Sequence, residues 1–320
     1  MVAISKLAPS RIANRAGRRL AYLCRLLTNE EFYNHLNGPL ADPVALDSTL
    51  STICYFFLFI AEVIRMRPTL IKHLKIVLRK LLALVLTSLK RSAFGSLKNH
   101  VEPTLLSWSS RLDNKEAKEP EAIEPQVNAL DITSSKLRSI SNYISDIRIF
   151  VRLWGIPALT AFGISEIKQT RKSGQSRVSR WLNYIDVVSI VAYQPLENVG
   201  FLADHKWTHH PDSVAGEVGL WYYVVSSRLW AIYVVLEVVK LAKEYVISIR
   251  NGSRIPLLEN SAFSRGLVSN LANLPLTVHW SLPEGCLPDI VVGFLGTFSS
   301  ALNTRESWSA VFRDIRALDV

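Results

Sequence analysis

The sequence predicts an all-α chain, on three observations. Apolar residues recur at helical spacing in one segment after another. Nothing alternates at period two over several consecutive segments, as a sheet protein would, and no internal repeat of fixed period points to a propeller or solenoid. The 320 residues suffice for one large or two modest domains. A hydrophobic fraction of 49% with 20% charged residues and a mean hydropathy of +0.18 puts the chain at the apolar edge of soluble composition. A membrane phase is therefore open from the start.

The first segment places Ile12, Ala16, Leu20, Leu23 and Leu27 on one helical face and Arg11, Arg15, Arg18 and Arg25 on the other, an amphipathic helix expected to end before Asn37-Gly38-Pro39. After the turn from Pro39 to Pro43, Asp47 or Ser48 is expected to cap a second helix running through Arg65. Its core, Ile53 to Ile64, is apolar nearly all round but short for a span, and reads as buried or interfacial.

A third helix follows from Thr69 to Arg91, with Pro68 where a first turn tolerates it. Leu70, Leu74, Val77, Leu78, Leu81, Leu84, Val85 and Leu89 form a broad apolar stripe. Arg65, Lys72, Lys75, Arg79, Lys80 and Lys90 gather opposite, and no carboxylate interrupts either side. Such a helix suits insertion into one leaflet, the apolar face among acyl chains and the basic face on anionic headgroups. The same periodicity also suits a helix packed on a protein core with solvated lysines.

From Trp108 to about Ser135 the composition turns charged, proline-containing and poor in large apolar residues, which reads as a flexible linker. Helical periodicity resumes at Ile140, Ile144, Ile147 and Val151, with a kink expected at Gly155 and Pro157. A basic loop from Lys168 to Arg180 comes next, a cluster of the kind that stays cytosolic. Two helices are expected over about 181–203 and 214–250, joined by a loop around His205 to Asp212. Within the second, Gly219 to Leu236 is interrupted only by Arg228 and is the best spanning candidate. The last apolar run, Ile290 to Leu302, carries Gly296 and Ser300 at i and i+4, a small-residue face for close helix packing.

Lys and Arg outnumber Asp and Glu by 37 to 27, a net charge of +10 that suits nucleic acid and anionic membrane alike. A nucleic-acid role leaves the apolar face behind each basic stripe unexplained. Three widely separated cysteines, Cys24, Cys54 and Cys286, suit a reducing compartment. Arginines break up any secretory core at the N-terminus, so secretion is not expected, although the acid-free, arginine-rich residues 1–29 share the pattern of a mitochondrial presequence.

His205, His209, His210 and Asp212 are the one metal-like group, but no ligand set is completed at a defined spacing, and no metal or cofactor is expected. The chain lacks a phosphate-binding loop, GxSxG and HExxH, so an enzyme is not expected either. Two charges stand out inside apolar helices, Glu197 and Arg228. They are a candidate buried ion pair across neighbouring helices, with Glu237 as a second possible partner, or they separately reach the interface.

Phe150 to Pro157, Ala192 to Leu202, Ser226 to Ala242, Leu274 to Leu282 and Val291 to Ser300 resemble, in order and spacing, the peroxisomal biogenesis factor eleven family, especially its filamentous-fungal members. The resemblance covers about residues 140–310. The family's N-terminal Gly-Arg-Asp-Lys-like stretch has only Ala16 to Arg19 as its counterpart here. What the resemblance implies is a peroxisomal membrane protein that elongates the membrane ahead of dynamin-type fission, self-associates as a homo-oligomer and is delivered by the peroxisomal membrane-protein import receptor. Leu318-Asp319-Val320 is not a matrix address of the Ser-Lys-Leu type, consistent with a membrane location.

The expected organisation is an N-terminal amphipathic helical region (1–107), the flexible charged linker (108–135) and a membrane-embedded helical bundle (136–320). The expected function is peroxisomal membrane remodelling on anionic lipids, without a nucleic-acid partner. A mitochondrial membrane protein with an arginine-rich presequence and a soluble basic nucleic-acid-binding protein are the alternatives.

Overall fold

A computed structural model describes residues 17, 20–91, 107, 128–252 and 262–318. Among these the secondary structure is helical throughout, with no strand: the protein is all-α. After a helical run over 20–27 come α1 (Glu30–Ala41), α2 (Pro43–Arg65), α3 (Arg67–Arg91), α4 (Ala129–Lys172), α5 (Arg177–Asp204), α6 (Asp212–Arg250), α7 (Ala262–Trp280) and α8 (Asp289–Ala317).

The local chemistry moves several expected boundaries. The first helix breaks at Thr28, not before Asn37, because Asn29 caps α1 by accepting from the Glu31 amide at 2.9 Å. Pro39 lies inside α1, close enough to its end that little is lost beyond one intrahelical bond. Asp42, rather than Asp47 or Ser48, caps α2: its Oδ1 accepts from Val44 N at 3.1 Å, and Pro43 takes the first turn, where its missing N–H costs nothing. α4 starts at Ala129, so residues 129–135 are helix rather than linker; 108–127 lie outside the described residues. The basic loop shrinks to 173–176. Lys168, Arg171 and Lys172 belong to α4, the last two in its final turn, where cations suit the helix dipole, and Ser176 caps α5.

The chain forms two compact units, residues 1–56 with 141–320 and residues 57–140, so α2 and α4 each divide between them. In the larger unit α5 packs most extensively on α6, α6 on α7, α7 on α8, and α8 on α1. The α5–α6 crossing is tight. A Cβ on Gly200 would lie 3.0 Å from the Gly219 carbonyl, and one on Gly219 the same distance from the Gly200 carbonyl. Leu26 packs with Val311 and Ile315 of α8, whereas Leu20, Leu23 and Leu27 of the expected apolar face are exposed.

α8 meets α2 through Gly296, Ser300 and a ladder of hydroxyls. The Tyr55 ring fills the space where a Gly296 Cβ would sit. Thr52 Oγ1 bonds Ser300 Oγ at 3.0 Å and Thr304 Oγ1 at 2.8 Å, Thr304 Oγ1 donates to Ser48 O at 2.9 Å, and Trp308 Nε1 donates to Thr49 Oγ1 at 2.9 Å. Hydroxyl bonds between helices hold a bundle without depending on water exclusion.

In the smaller unit, Glu62 of α2 is buried and takes both Arg65 and Arg138. Ser134 Oγ donates to Ala61 O at 2.8 Å, and Arg67 pairs with Asp131 at 2.8 Å.

Two described helices are long and apolar enough to cross a membrane, α2 and α4. Gly219 to Leu236 of α6 is not one of the two; Gly219, Val224, Ser226 and Val234 within it are buried. Only 22% of the apolar window in α2 and 11% of that in α4 is buried, whereas the core helix of a soluble protein would be mostly covered.

Candidate functional site

Two arrangements carry chemistry, one in each unit. The first is a charge network in the larger unit. Arg148 and Arg152 stand at i and i+4 on α4, so they share a face. Asp47 of α2 lies against both: its Oδ1 is 3.1 Å from Arg148 Nε and 3.4 Å from Arg152 Nε. Arg152 Nη1 also donates to Glu197 of α5, and the Arg148 guanidinium sits 5.4 Å from the centre of the Tyr55 ring. The side chains of Arg148 and Arg152 are 8% and 14% exposed.

Two guanidinium and two carboxylate groups leave no net charge. That balance is what an apolar interior demands, because an unpaired ion there costs several kcal/mol. The network ties α2, α4 and α5 together.

The expected pair of Glu197 with Arg228 does not form. Glu197 is taken by Arg152, and Arg228, exposed on α6, donates through Nε to Ser281 O at 3.3 Å. Glu237 bonds Lys240 on its own helix. Sequence reasoning found the right carboxylate and the wrong cation. The missed signal was Arg148 and Arg152 flanking Ile149, Phe150 and Val151: two arginines one turn apart among apolar residues need acids on a neighbouring helix.

The second arrangement is α3. Leu70, Leu74, Val77 and Leu81 are all exposed, Leu74 at 66%, and Leu78 is half-buried. Lys72 and Lys80 are exposed, Lys75 is half-buried, and none of the three makes an ion pair among the described residues. The side chains of Arg79, Leu84, Val85, Leu89 and Lys90 lie outside the described residues. Arg65 leaves the expected basic face: it ends α2, one helix earlier, and is held by Glu62.

No family model matches the chain, and no solved structure does. An uncharacterized protein of Schizosaccharomyces pombe is 27% identical over 187 residues, 58% of this chain and 84% of the relative.

In the histidine loop, His205 is locally satisfied. His205 Nδ1 bonds Phe201 O at 2.9 Å while its ring packs on Phe201 and Trp207. Among the described residues no group of three or more His, Cys, Asp or Glu is placed to hold a metal ion. On α7, His279 Nδ1 accepts from the amides of Cys286 and Leu287 at 2.8 and 3.0 Å, closing the turn that leads to α8. Burial holds its imidazole below the ordinary histidine value, against the pull of Asp289. Gly285 at φ +68° lies against that ring, a position a side chain would fill badly.

Proposed function

We propose that this protein is an integral membrane protein of the peroxisome that elongates and remodels its membrane ahead of fission, with α3 as the inserting element. The observation that carries the reading is the exposed apolar face of α3, beside lysines that make no ion pair among the described residues. An exposed face of that kind favours an interfacial partner, and the lysines favour an anionic one. Seating Leu74, Val77 and Leu81 among acyl chains of one leaflet expands that leaflet's area and drives curvature. Each buried Leu or Val contributes about 1.5–3 kcal/mol, and each Lys near the surface about 1. The apolar face therefore sets affinity and the lysines set lipid preference. The peroxisomal assignment rests on the sequence resemblance, and with it come homo-oligomerisation, dynamin-type fission machinery and the membrane-protein import receptor as partners.

The test is the full-length protein added to anionic vesicles and viewed by electron microscopy, beside Leu74→Glu with Leu81→Glu. Both positions are exposed, so the fold is spared. Tubules are expected from the unaltered chain and none from the double variant; equal tubulation would sink the wedge. A tagged chain that follows a mitochondrial rather than a peroxisomal marker would overturn the location.

A further inference from the structure

A cavity of about 680 Å³ opens in the larger unit among α4, α5 and α6. Its size suits a small molecule or a lipid headgroup with the start of its chains. Phe162, Leu182, Val187 and Leu236 give it an apolar wall.

The charged side chains that line it are Glu166, Asp186, Glu237 and Glu244 against Lys240 and Lys243. Four carboxylates face two ammonium groups, so the lining lacks positive charge. Asp186 shows the lack most clearly. Its side chain is 7% exposed, and its Oδ2 accepts from Lys240 while Oδ1 is buried with no donor. A buried carboxylate oxygen without a donor is costly and marks a place where a cation or N–H is wanted. Burial pushes this carboxyl above the ordinary aspartate range against the pull of the Lys240 ammonium, as expected of a group whose pairing is incomplete. Lys243 makes no ion pair among the described residues, leaving one ammonium free for an anion.

We propose that the cavity binds a zwitterionic ethanolamine phospholipid, the headgroup ammonium donating to Asp186 and Glu237, the phosphate meeting Lys243, and one acyl chain lying along Phe162 and Leu236. The head must donate hydrogen bonds, which a primary ammonium does and a trimethylammonium does not. An anionic head alone would meet four carboxylates and be repelled. The inference does not depend on α3 being the remodelling element, since the cavity is built from other helices.

The full-length protein is reconstituted in nanodiscs of dioleoyl phosphatidylcholine containing equal minor amounts of dioleoyl phosphatidylethanolamine and dioleoyl phosphatidylglycerol, and retained lipids are counted by native mass spectrometry. Phosphatidylethanolamine is expected over phosphatidylcholine by about tenfold after correction for abundance, the order of one lost charge-assisted hydrogen bond. Asp186→Asn removes the preference. Lys243→Gln, at an exposed position that spares the fold, weakens retention while the helical circular dichroism signal is unchanged. Equal retention of the two zwitterionic lipids, better retention of phosphatidylglycerol, or indifference to Lys243→Gln overturns the proposal. Glycerophosphoethanolamine, which has the head but no chains, is expected to leave the lipid in place; displacement by it would overturn the role given to the apolar wall.

Discussion

α3 and the middle of α4 are both helices in which basic residues interrupt long apolar runs, yet they treat their charges in opposite ways. On α4, Arg148 and Arg152 are nearly buried and each is answered by a carboxylate, Asp47 for both and Glu197 for the second. On α3, Lys72 and Lys80 are exposed and make no ion pair among the described residues, and Leu74 and Leu81 beside them are exposed. A basic residue among apolar neighbours is therefore read by its acid. Where a carboxylate arrives from another helix, the charge holds the bundle.

The largest effect that probes this contrast is at Arg152. Arg152→Leu leaves the half-buried Glu197 without its cation and weakens the hold on Asp47, and is expected to cost about 3 kcal/mol. Thermal unfolding in detergent measures it. Arg152→Leu with Glu197→Leu should recover much of that loss, because the two charges disappear together. Arg228→Gln, by comparison, should stay within about 0.5 kcal/mol, as for other exposed positions; a loss as large as that of Arg152→Leu would contradict the assigned pairing.

The α5–α6 crossing comes next. Gly219→Ala sets a methyl against the Gly200 carbonyl, and backbone cannot give way as a flexible side chain does. A loss of about 1–3 kcal/mol is expected in the same unfolding measurement. An unchanged midpoint would mean that the two helices do not meet there.

On α3 the changes are smaller and fall on binding rather than stability. Lys72→Gln with Lys80→Gln should lower affinity for anionic vesicles by about 1 kcal/mol per lysine in co-sedimentation at low salt and leave neutral vesicles unaffected. Equal losses on both vesicle types would show the lysines acting through the fold.

The smallest effect is a pH dependence at His279. Its folded imidazole titrates below the ordinary histidine value because burial disfavours the charged form and the ring must accept two amides. The unfolded turn then binds the proton more readily. Stability of the turn is full above about pH 6.5 and falls as pH drops from there through the folded value. Hydrogen exchange at the Cys286 and Leu287 amides, corrected for intrinsic rates, should show protection falling over that window. Constant protection from pH 7 to 5 would remove the assigned acceptor.

The helical class was legible because periodicity survives whatever the helices pack against. Pairings were not. Asp47 reads as a cap from its place near a helix start, and only the position of α4 beside α2 shows that it serves two arginines. Gly200 and Gly219 look unremarkable in sequence, since a glycine needed for close approach looks like any other until its neighbour is known. The end expected before Asn37-Gly38-Pro39 lies elsewhere for a local reason: the Asn29 side chain accepts from the Glu31 amide, and that cap sets where the helix breaks. The leucine stripe of α3 was visible throughout, whereas the assignment of Arg65 to its basic face failed because a short turn at Met66 ended one helix and began another.

The hydroxyl ladder joining Thr49 and Thr52 to Ser300, Thr304 and Trp308 has a consequence for how the protein is made. α2 leaves the ribosome well before its partners on α8, since Thr52 and Ser300 stand 248 residues apart. Until then the threonines of α2 have only their own helix to bond, and its apolar side chains stand without their final neighbours. Contacts of such long sequence separation form late and slowly. The interval between the birth of α2 and the arrival of α8 is thus when α2 is most exposed to mispairing and aggregation, and a chaperone that shields α2 until α8 has emerged would meet that need.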